Sequence, residues 1–163
     1  MLGSFGVGKT SLVRRFVYNK FEEKYLSTIG VHISHKTIEI KKPDSNSTYQ
    51  LKLILWDIAH IEKFNAVIKN YFRGANGAII VYDFSRPHTF ENTKSILEPF
   101  LEINPASKIV FVGNKLDLVD EPDRLKNQLL PNIQPYKSPL VLTSAKTGDN
   151  VESLFHKLGT MLI

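Results

Sequence analysis

An eight-residue stretch near the start of the chain, GSFGVGKT from Gly3 to Thr10, has the residue types and spacing of a phosphate-binding loop. It fits the pattern G-x-x-x-x-G-K-[ST], in which glycines let successive backbone N–H groups wrap around the phosphates of a nucleotide. Lys9 would neutralise the terminal phosphates, the hydroxyl of Thr10 suits Mg²⁺, and a helix starting here would direct its positive end at the same anion. The bland alternative is a glycine turn with a chance lysine, and the motif alone does not choose between ATP and GTP. The predicted phosphate-binding residues are Ser4, Phe5, Gly6, Val7, Gly8, Lys9, Thr10 and Ser11.

Two later motifs concern the base of the nucleotide. NKLD, from Asn114 to Asp117, follows the apolar run KIVFVG, and Asp117 can accept hydrogen bonds from the ring N–H and the exocyclic amine of guanine. Adenine does not offer that donor pair, and a pocket built for such pairing can reject the wrong partner by roughly 10⁴-fold. TSAK, from Thr143 to Lys146, also follows a strand-like run, so a backbone N–H there can reach the base oxygen. NKLD alone could be a surface turn, but three motifs in this order predict a guanine-nucleotide site.

The elements that must position these motifs alternate between strand-like and helix-like patterns. Continuous apolar runs typical of buried parallel strands lie at 78–84, 108–114 and 139–145, and helical periodicity covers 11–19, 64–72, 90–103, 123–130 and 151–161. The runs 30–40 and 49–57 flank the turn-forming PDSNS at 43–47 and predict an antiparallel hairpin. The fold class is therefore predicted to be α/β, with a mostly parallel sheet, helices on both faces and ligands at the carboxyl ends of the strands.

Composition limits the other function classes. With 163 residues, of which 42% are hydrophobic, the chain predicts one soluble domain, 1–163, with a single core and no low-complexity segment. It contains no cysteine, which excludes disulfides, thiolate metal sites and a cysteine nucleophile. The net charge of +5 is spread along the chain without a basic cluster interleaved with aromatics, so we expect no nucleic-acid partner. Without a signal-like start or a long apolar run, we expect a cytoplasmic protein.

With these motifs in place, the chain resembles a small GTPase of the Ras superfamily and is most similar to the Rab branch. The resemblance covers essentially the whole chain, including FEEKYLSTIGV (21–31), YFRGANGAIIVYD (71–83) and TSAKTGDNVESLF (143–155). It implies the three-layer fold of P-loop NTPases, a monomeric molecular switch that binds GTP or GDP with Mg²⁺, and effector and exchange proteins that contact 21–34 and 56–72. It also implies that Phe21 packs against guanine, Thr28 binds Mg²⁺ and senses the γ-phosphate, and Asp57 holds Mg²⁺ through water. The base pocket it implies consists of Asn114, Lys115, Asp117, Ser144, Ala145 and Lys146.

The stretch WDIAHIEKF, from Trp56 to Phe64, departs from the family at its centre. Relatives read D-x-x-G-Q-E, in which the glycine N–H meets the γ-phosphate and the glutamine orients the attacking water. His60 and Ile61 occupy those two positions here, so no catalytic residue of that pair is intact. Phe5 is a third departure, because most relatives have a small residue there. A benzyl group would crowd the space where an activating protein's arginine enters, and we expect very slow hydrolysis.

His60 suggests a rescue hypothesis, in which its imidazole replaces the missing glutamine as water positioner or base. The position argues against this, because it lies one residue early, where the backbone faces the phosphate. Replacing glycine also restricts the backbone at the switch. The other histidines, His32, His35, His88 and His156, lack metal-ligand spacing and are expected on the surface or on strand faces.

Partner identity depends on an apolar patch that differs from the family's. Ile33 replaces an aromatic residue that joins Trp56 in Rab relatives, while the pair Tyr71 and Phe72 adds two candidate anchors.

The ends of the chain raise a further expectation. Only Met1 and Leu2 precede the glycine loop, whereas the fold needs a strand of about five or six residues there. We therefore expect a trimmed chain or a misplaced start. We also expect any membrane attachment, peripheral and on intracellular membranes, to need a tail that this sequence does not include.

Two function classes stay open: a slow GTPase switch, and a degenerate GTPase domain that serves as a nucleotide-stabilised binding scaffold. A P-loop kinase or ATPase is disfavoured by Asp117, and a preference for ATP over GTP would restore it.

Overall fold

The computed structural model describes residues 1–23, 27–41, 47–59 and 66–163, with the backbone alone for Ala66 and Val67. In chain order the elements are α1 (Lys9–Tyr18), β1 (Val31–Lys41), β2 (Thr48–Ile58), α2 (Ala66–Phe72), β3 (Gly77–Asp83), α3 (His88–Glu91), α4 (Thr93–Ile103), β4 (Lys108–Asn114), α5 (Pro122–Ile133), β5 (Leu140–Leu142) and α6 (Val151–Leu162). Within these residues, none of the helices combines the length and the apolar character needed to cross a bilayer.

The strands form a parallel and an antiparallel group, as the sequence predicted. Strands β3, β4 and β5 pair in that order and in parallel, with Asp83 opposite Asn114 at the carboxyl ends of β3 and β4. Strands β1 and β2 pair antiparallel along their full length, from Val31 opposite Ile58 to Lys41 opposite Thr48. The predicted hairpin turn lies outside the described residues except for Ser47. The predicted α/β fold class is confirmed.

The first two residues lie between the two groups of strands. Leu2 donates its N–H to the Ile79 carbonyl at 2.9 Å and accepts from the Val81 N–H at 2.7 Å, so it pairs with β3 in parallel. On the other side the Met1 amine donates to the Trp56 carbonyl of β2 at 2.7 Å. Met1 and Leu2 therefore contact both groups, and the longer strand expected before the glycine loop stays a prediction.

Apolar side chains alternate between two cores because β3 and β4 are covered on both faces. Ile79 and Val81 point to the core formed with α1, α6, β1 and β2, where Phe16 of α1 stacks on Phe155 of α6 with ring centroids 3.8 Å apart. Ile80 and Tyr82 point to the opposite core, formed with α2, α3, α4 and α5. Helices on both faces thus hold the carboxyl ends of the parallel strands in place.

Some predicted boundaries were wrong. The helix expected over 90–103 is two helices, because α3 ends at Glu91 and α4 begins at Thr93, whose hydroxyl donates back to the Phe90 carbonyl at 2.6 Å. The strand expected over 139–145 is only Leu140–Leu142. The Thr143 N–H still donates to the Gly113 carbonyl at 2.9 Å, but the Ala145 N–H donates to the Asn114 side chain instead of to β4.

Candidate nucleotide-binding site

The backbone of the glycine loop before α1 requires glycine at positions 6 and 8, among others. Gly6 has φ +70° and Gly8 has φ +98°, values that side-chain-bearing residues rarely adopt. At Gly8 a Cβ atom would also lie 2.2 Å from the Asn114 amide nitrogen. Because Gly8 immediately precedes α1, the loop curls around the N-terminus of that helix, where free N–H groups favour an anion.

Lys9 extends back across this loop. Its ammonium donates to the carbonyls of Gly3 at 2.8 Å and Ser4 at 2.9 Å, so the charge sits inside the curve of the loop. Burial lowers the pKa of Lys9 to about 8, and the nearby Asp57 carboxylate offsets part of that effect. The arrangement favours a bound anion, which would stabilise the charged form.

Three oxygen-bearing side chains converge next to the loop. The Thr10 hydroxyl lies 2.7 Å from the Thr28 hydroxyl and donates to the Asp57 carboxylate at 2.6 Å. Asp57 is 2% exposed, and its other oxygen, Oδ1, has no hydrogen-bond partner among the described residues. Hydroxyl and carboxylate oxygens are the ligands that Mg²⁺ prefers, and a buried carboxylate oxygen without a partner calls for a cation or its water. The residues therefore fit the Mg²⁺ that the sequence predicted for Thr10, Thr28 and Asp57.

Asn114 connects the glycine loop to the TSAK segment. Its side-chain amide donates to the Val7 carbonyl at 2.9 Å, and its carbonyl oxygen accepts from the Ala145 N–H at 3.1 Å and the Thr143 hydroxyl at 3.3 Å. The Asp117 carboxylate accepts from the Ser144 hydroxyl. The predicted phosphate and base motifs thus form one hydrogen-bonded unit.

Arg15 on α1 holds the TSAK segment from the outside, a contact that the motifs did not reveal. Its guanidinium donates to the carbonyls of Ala145 at 2.9 Å and Lys146 at 2.6 Å, and also to the Asn19 side chain at 3.2 Å. An Arg on the helix that follows the glycine loop was the available signal, but it reads equally well as a solvated surface charge.

One cavity of about 990 Å³ joins these features, within the size range of small-molecule sites. The predicted site residues that line it are Phe5, Gly6, Gly8, Lys9, Thr10, Ser11, Phe21, Thr28, Asp57, Asn114, Lys115, Asp117, Ala145 and Lys146. Three others lie behind its wall: Val7 in the core, Ser144 fully buried, and Ser4, whose hydroxyl has no partner among the described residues.

Two departures from the family pattern, His60 and Ile61, lie outside the described residues. The third, Phe5, is 53% exposed at the cavity wall. Phe21 is partly buried, packs against the core that contains α1 and lines the same cavity.

Some cavity-lining residues were not predicted as nucleotide-binding residues. They include His32 and Ser34 on β1 and Tyr18 and Lys20 near the end of α1. His32 was expected on a strand face, and its face is the one toward the cavity, because it pairs with Asp57 in the β1–β2 register.

The predicted anchor pair beside Trp56 is half wrong. Trp56 and Tyr71 are both partly exposed, with ring centroids 6.1 Å apart, and Ile33 lies opposite Trp56 on the exposed face of the hairpin. Phe72 is only 1% exposed, because it packs edge-on against Phe100 in the core with α4. Adjacent residues of a helix point to different sides, so one of the pair faces solvent and the other cannot.

The fold is that of the small G-proteins, a class of P-loop proteins. The sequence profile of the Ras family matches residues 1–163. The chain is 34% identical to the Ras-related protein SEC4 of Candida albicans (strain WO-1), over 99% of this chain and 75% of that protein. It is also 34% identical to the Ras-related protein SEC4 of Saccharomyces cerevisiae (99% and 73%) and to the Ras-related protein Rab-1 of Theileria annulata (99% and 72%).

The chain belongs to the Ras family. It is a Rab- and SEC4-like member of a family of GTP-binding small GTPases that act as molecular switches.

Proposed function

We propose that this chain binds GTP and GDP together with Mg²⁺ and hydrolyses GTP very slowly. The observation that supports the proposal is the convergence on one cavity of the glycine loop, the Thr10, Thr28 and Asp57 oxygens, and the Asn114 to Asp117 motif. A nucleoside triphosphate needs a cationic region for its phosphates and hydrogen-bonding groups for its base in the same groove. The cavity has both, with Lys9 at the glycine loop and Asp117 in the base motif.

Each part of the cavity has a distinct role. The N–H groups of the glycine loop and the Lys9 ammonium bind the phosphates. The negative phosphates stabilise the charge of Lys9, which burial disfavours. The Asp117 carboxylate, held by the Ser144 hydroxyl, selects guanine by accepting from its two donors. Phe21 covers one face of the base.

A second group of residues in the cavity would hold the metal ion. Thr10 and Thr28 would ligate Mg²⁺ through their hydroxyls, and Asp57 would hold it through a water molecule. Bound Mg²⁺ neutralises charge that develops on the phosphate oxygens. Asp57 already accepts a hydrogen bond from the Thr10 hydroxyl, so it also orients that hydroxyl.

The chain's own residues explain slow hydrolysis. Among the described residues that line the cavity the carboxylates are Glu22, Glu23, Asp57 and Asp117, and no glutamine is present. Glu22 is paired with Arg14, and Asp117 is at the base end with Ser144. Ile61 has no polar group with which to hold a water molecule, and losing one such group costs about 10² to 10³ in rate. Phe5 adds a steric barrier to an incoming arginine.

A second candidate function is a nucleotide-stabilised binding scaffold whose partners do not depend on hydrolysis. The observation that favours it is the exposed apolar surface of the hairpin, where Ile33, Ile54 and Trp56 face solvent next to Tyr71. Under either function, effector and exchange proteins would contact the segments 21–34 and 56–72. We propose that the chain acts as a monomer in the cytoplasm.

Single-turnover GTP hydrolysis tests the proposal. The chain, loaded with GTP and Mg²⁺, is compared with Ile61→Gln, Phe5→Ser and the double variant, and ATP competition measures base selectivity. We expect tight GTP and GDP binding, hydrolysis over many hours, and acceleration of about 10²-fold or more in Ile61→Gln. A native rate equal to that of Ile61→Gln would refute slow hydrolysis, and a preference for ATP would refute guanine selection.

The same assay tests His60. If its imidazole positions the water, His60→Ala slows hydrolysis further and the rate titrates near a pKa of about 6.5. His35→Ala is the matched control, because His35 lies on the exposed face of β1 and does not line the cavity. We expect a flat pH profile and equal rates for both variants.

A further inference from the structure

Asp83 is a buried carboxylate at the end of β3 for which the sequence motifs give no role. It is 1% exposed and lies opposite Asn114 at the carboxyl edge of the parallel strands. A buried carboxylate is costly unless its oxygens are fully hydrogen-bonded, so its retention at this edge requires an explanation.

Both oxygens of Asp83 are occupied. One accepts from the Lys115 ammonium at 2.7 Å and from the Arg86 guanidinium at 2.8 Å, and the other accepts from the Ser85 N–H at 3.0 Å and hydroxyl at 2.6 Å. Burial pushes the pKa of Asp83 up, but the bonds from Lys115, Ser85 and Arg86 outweigh it, and the pKa lies below its usual value. The carboxylate is therefore charged and joins two cations from different parts of the chain.

The first cation reaches the glycine loop. Arg86 Nη2 lies 3.5 Å from the Gly6 carbonyl oxygen, at the outer limit of a hydrogen bond. The turn that carries Arg86 is itself fixed, because the Arg86 N–H donates to the Asp83 carbonyl at 2.9 Å and the Thr89 hydroxyl donates to the Arg86 carbonyl at 2.8 Å. Arg86 thus approaches the loop from a turn that its own hydrogen bonds hold in place.

The second cation belongs to the base motif. Lys115 lines the cavity and has a left-handed backbone with φ +68°, which costs a non-glycine residue about 1 to 2 kcal/mol. A conformation of this kind persists only where neighbouring contacts hold it. The ion pair with Asp83 and the Leu116 N–H bond to the Thr143 carbonyl at 3.0 Å are such contacts.

We propose that Asp83 is a positioning residue for nucleotide binding: through Arg86 and Lys115 it ties the glycine loop to the base motif and slows nucleotide release. The inference rests on the proposed guanine-nucleotide binding. Asn114 makes a neutral connection between the same two parts, and Asp83, equally buried, makes a charged one.

If the ion pairs of Asp83 served only to stabilise the fold, removing them would lower the free energy of unfolding but would not change the ratio of GDP to GMP affinity. The proposed role predicts more, because Arg86 acts on the loop that wraps the phosphates. Loss of Arg86 should weaken GDP binding, whereas GMP, which lacks the β-phosphate, should be affected less. The ratio of GDP to GMP affinity is therefore the discriminating quantity.

The experiment measures the release rate of GDP and the affinities of GDP and GMP for the native chain, Asp83→Asn, Arg86→Ala and Arg86→Lys. Glu121→Gln is the matched control, because it removes the exposed Arg124 ion pair, also at i,i+3. We expect GDP release about tenfold to a hundredfold faster in Asp83→Asn, in line with losing hydrogen bonds to charged groups. We expect a smaller acceleration in Arg86→Ala, partial recovery in Arg86→Lys, a lower GDP to GMP affinity ratio in Arg86→Ala, and no change in the control.

Each outcome decides the matter. If the native chain binds GDP but Asp83→Asn and Arg86→Ala release it at the native rate, the inference fails and the proposed function stands. Faster release with an unchanged GDP to GMP ratio in Arg86→Ala reduces the network to a structural role and also overturns it. If the native chain binds neither GDP nor GTP, the proposed function fails and the inference with it. If Asp83→Asn does not fold, Arg86→Ala and Arg86→Lys still test the proposal, because the Arg86 side chain is half-exposed.

Discussion

The substitution Gly8→Ala tests how the glycine loop is held, and Gly74→Ala is its matched control. Both glycines have positive φ, +98° and +75°, so an added Cβ strains both backbones by about 1 to 2 kcal/mol. They differ in their surroundings. A Cβ at Gly8 would lie 2.2 Å from the Asn114 amide nitrogen, whereas a Cβ at Gly74 would meet nothing within 4 Å among the described residues.

The added Cβ at Gly8 would displace the Asn114 side chain, whose amide nitrogen and oxygen both make hydrogen bonds. Moving Asn114 breaks its bond to the Val7 carbonyl and, if the amide rotates, the bonds from Ala145 and Thr143. Each buried group left without a partner costs about 1 to 3 kcal/mol. We therefore expect Gly8→Ala to lower the free energy of unfolding by about 3 to 6 kcal/mol, against about 1 to 2 kcal/mol for Gly74→Ala.

Equilibrium urea unfolding in nucleotide-free buffer, followed by circular dichroism, measures these values. Asn114→Ala and the double variant Gly8→Ala/Asn114→Ala complete a cycle. Each single variant loses the Asn114 hydrogen bonds, so adding the two losses of unfolding free energy counts those bonds twice. The double variant should therefore lose less than the sum, by the energy of the Asn114 bonds. Equal costs for Gly8→Ala and Gly74→Ala, or strict additivity in the cycle, would refute the reasoning.

Two other predictions follow from the site and the core. Because burial lowers the pKa of Lys9 to about 8 and a bound anion raises it, GDP affinity should be constant below pH of about 8 and fall above it, by at most about tenfold per pH unit. GMP is the control, because it has the same base, whose ionisation also weakens binding at high pH, but no β-phosphate. If the GDP affinity falls no more steeply with pH than the GMP affinity, the proposed role of Lys9 is contradicted. Phe72→Ala should lower the free energy of unfolding by about 3 to 5 kcal/mol, because Phe72 packs against Phe100 in the core, whereas Tyr71→Ala should cost about 1 kcal/mol or less. Urea unfolding of the two variants measures this difference. Similar losses of unfolding free energy would show that the burial of Phe72 contributes little to stability.

The parts of the fold that could be predicted from the sequence are those in which local pattern and tertiary environment agree. The runs 78–84 and 108–114 are continuously apolar because both of their faces are covered, and the strands Gly77–Asp83 and Lys108–Asn114 follow them almost to the residue. The hairpin was predictable because the turn-forming PDSNS at 43–47 separates two strand-like runs, and the two strands pair from Val31 opposite Ile58 to Lys41 opposite Thr48. The motifs at Gly3 to Thr10 and Asn114 to Asp117 could be located because a phosphate loop and a base pocket demand particular residue types at fixed spacing.

Prediction failed where a contact distant in sequence decides the outcome. The pattern PLVLTSA reads as a strand through Ala145, but Asn114 competes for the N–H of Ala145, and the strand ends at Leu142. Tyr71 and Phe72 look equivalent in sequence, and only the position of α4 distinguishes them. Arg15 resembles any surface arginine until the carbonyls of Ala145 and Lys146 lie beside it.

Asp83 had a signal that motif reasoning passed over. It is the last residue of β3, a continuous apolar run, and a carboxylate at the carboxyl end of a buried parallel strand lies at the edge where ligands bind in this class of sheet. Asp57 was noticed because the family assigns it a metal role, whereas Asp83 acts on other protein residues and touches no expected ligand. The physical question that finds both is which cation compensates each buried carboxylate: Mg²⁺ suits Asp57, whose second oxygen has no partner among the described residues, while Lys115 and Arg86 already compensate Asp83. Applied to strand ends in general, this question separates carboxylates that need a ligand from those that organise the residues around one.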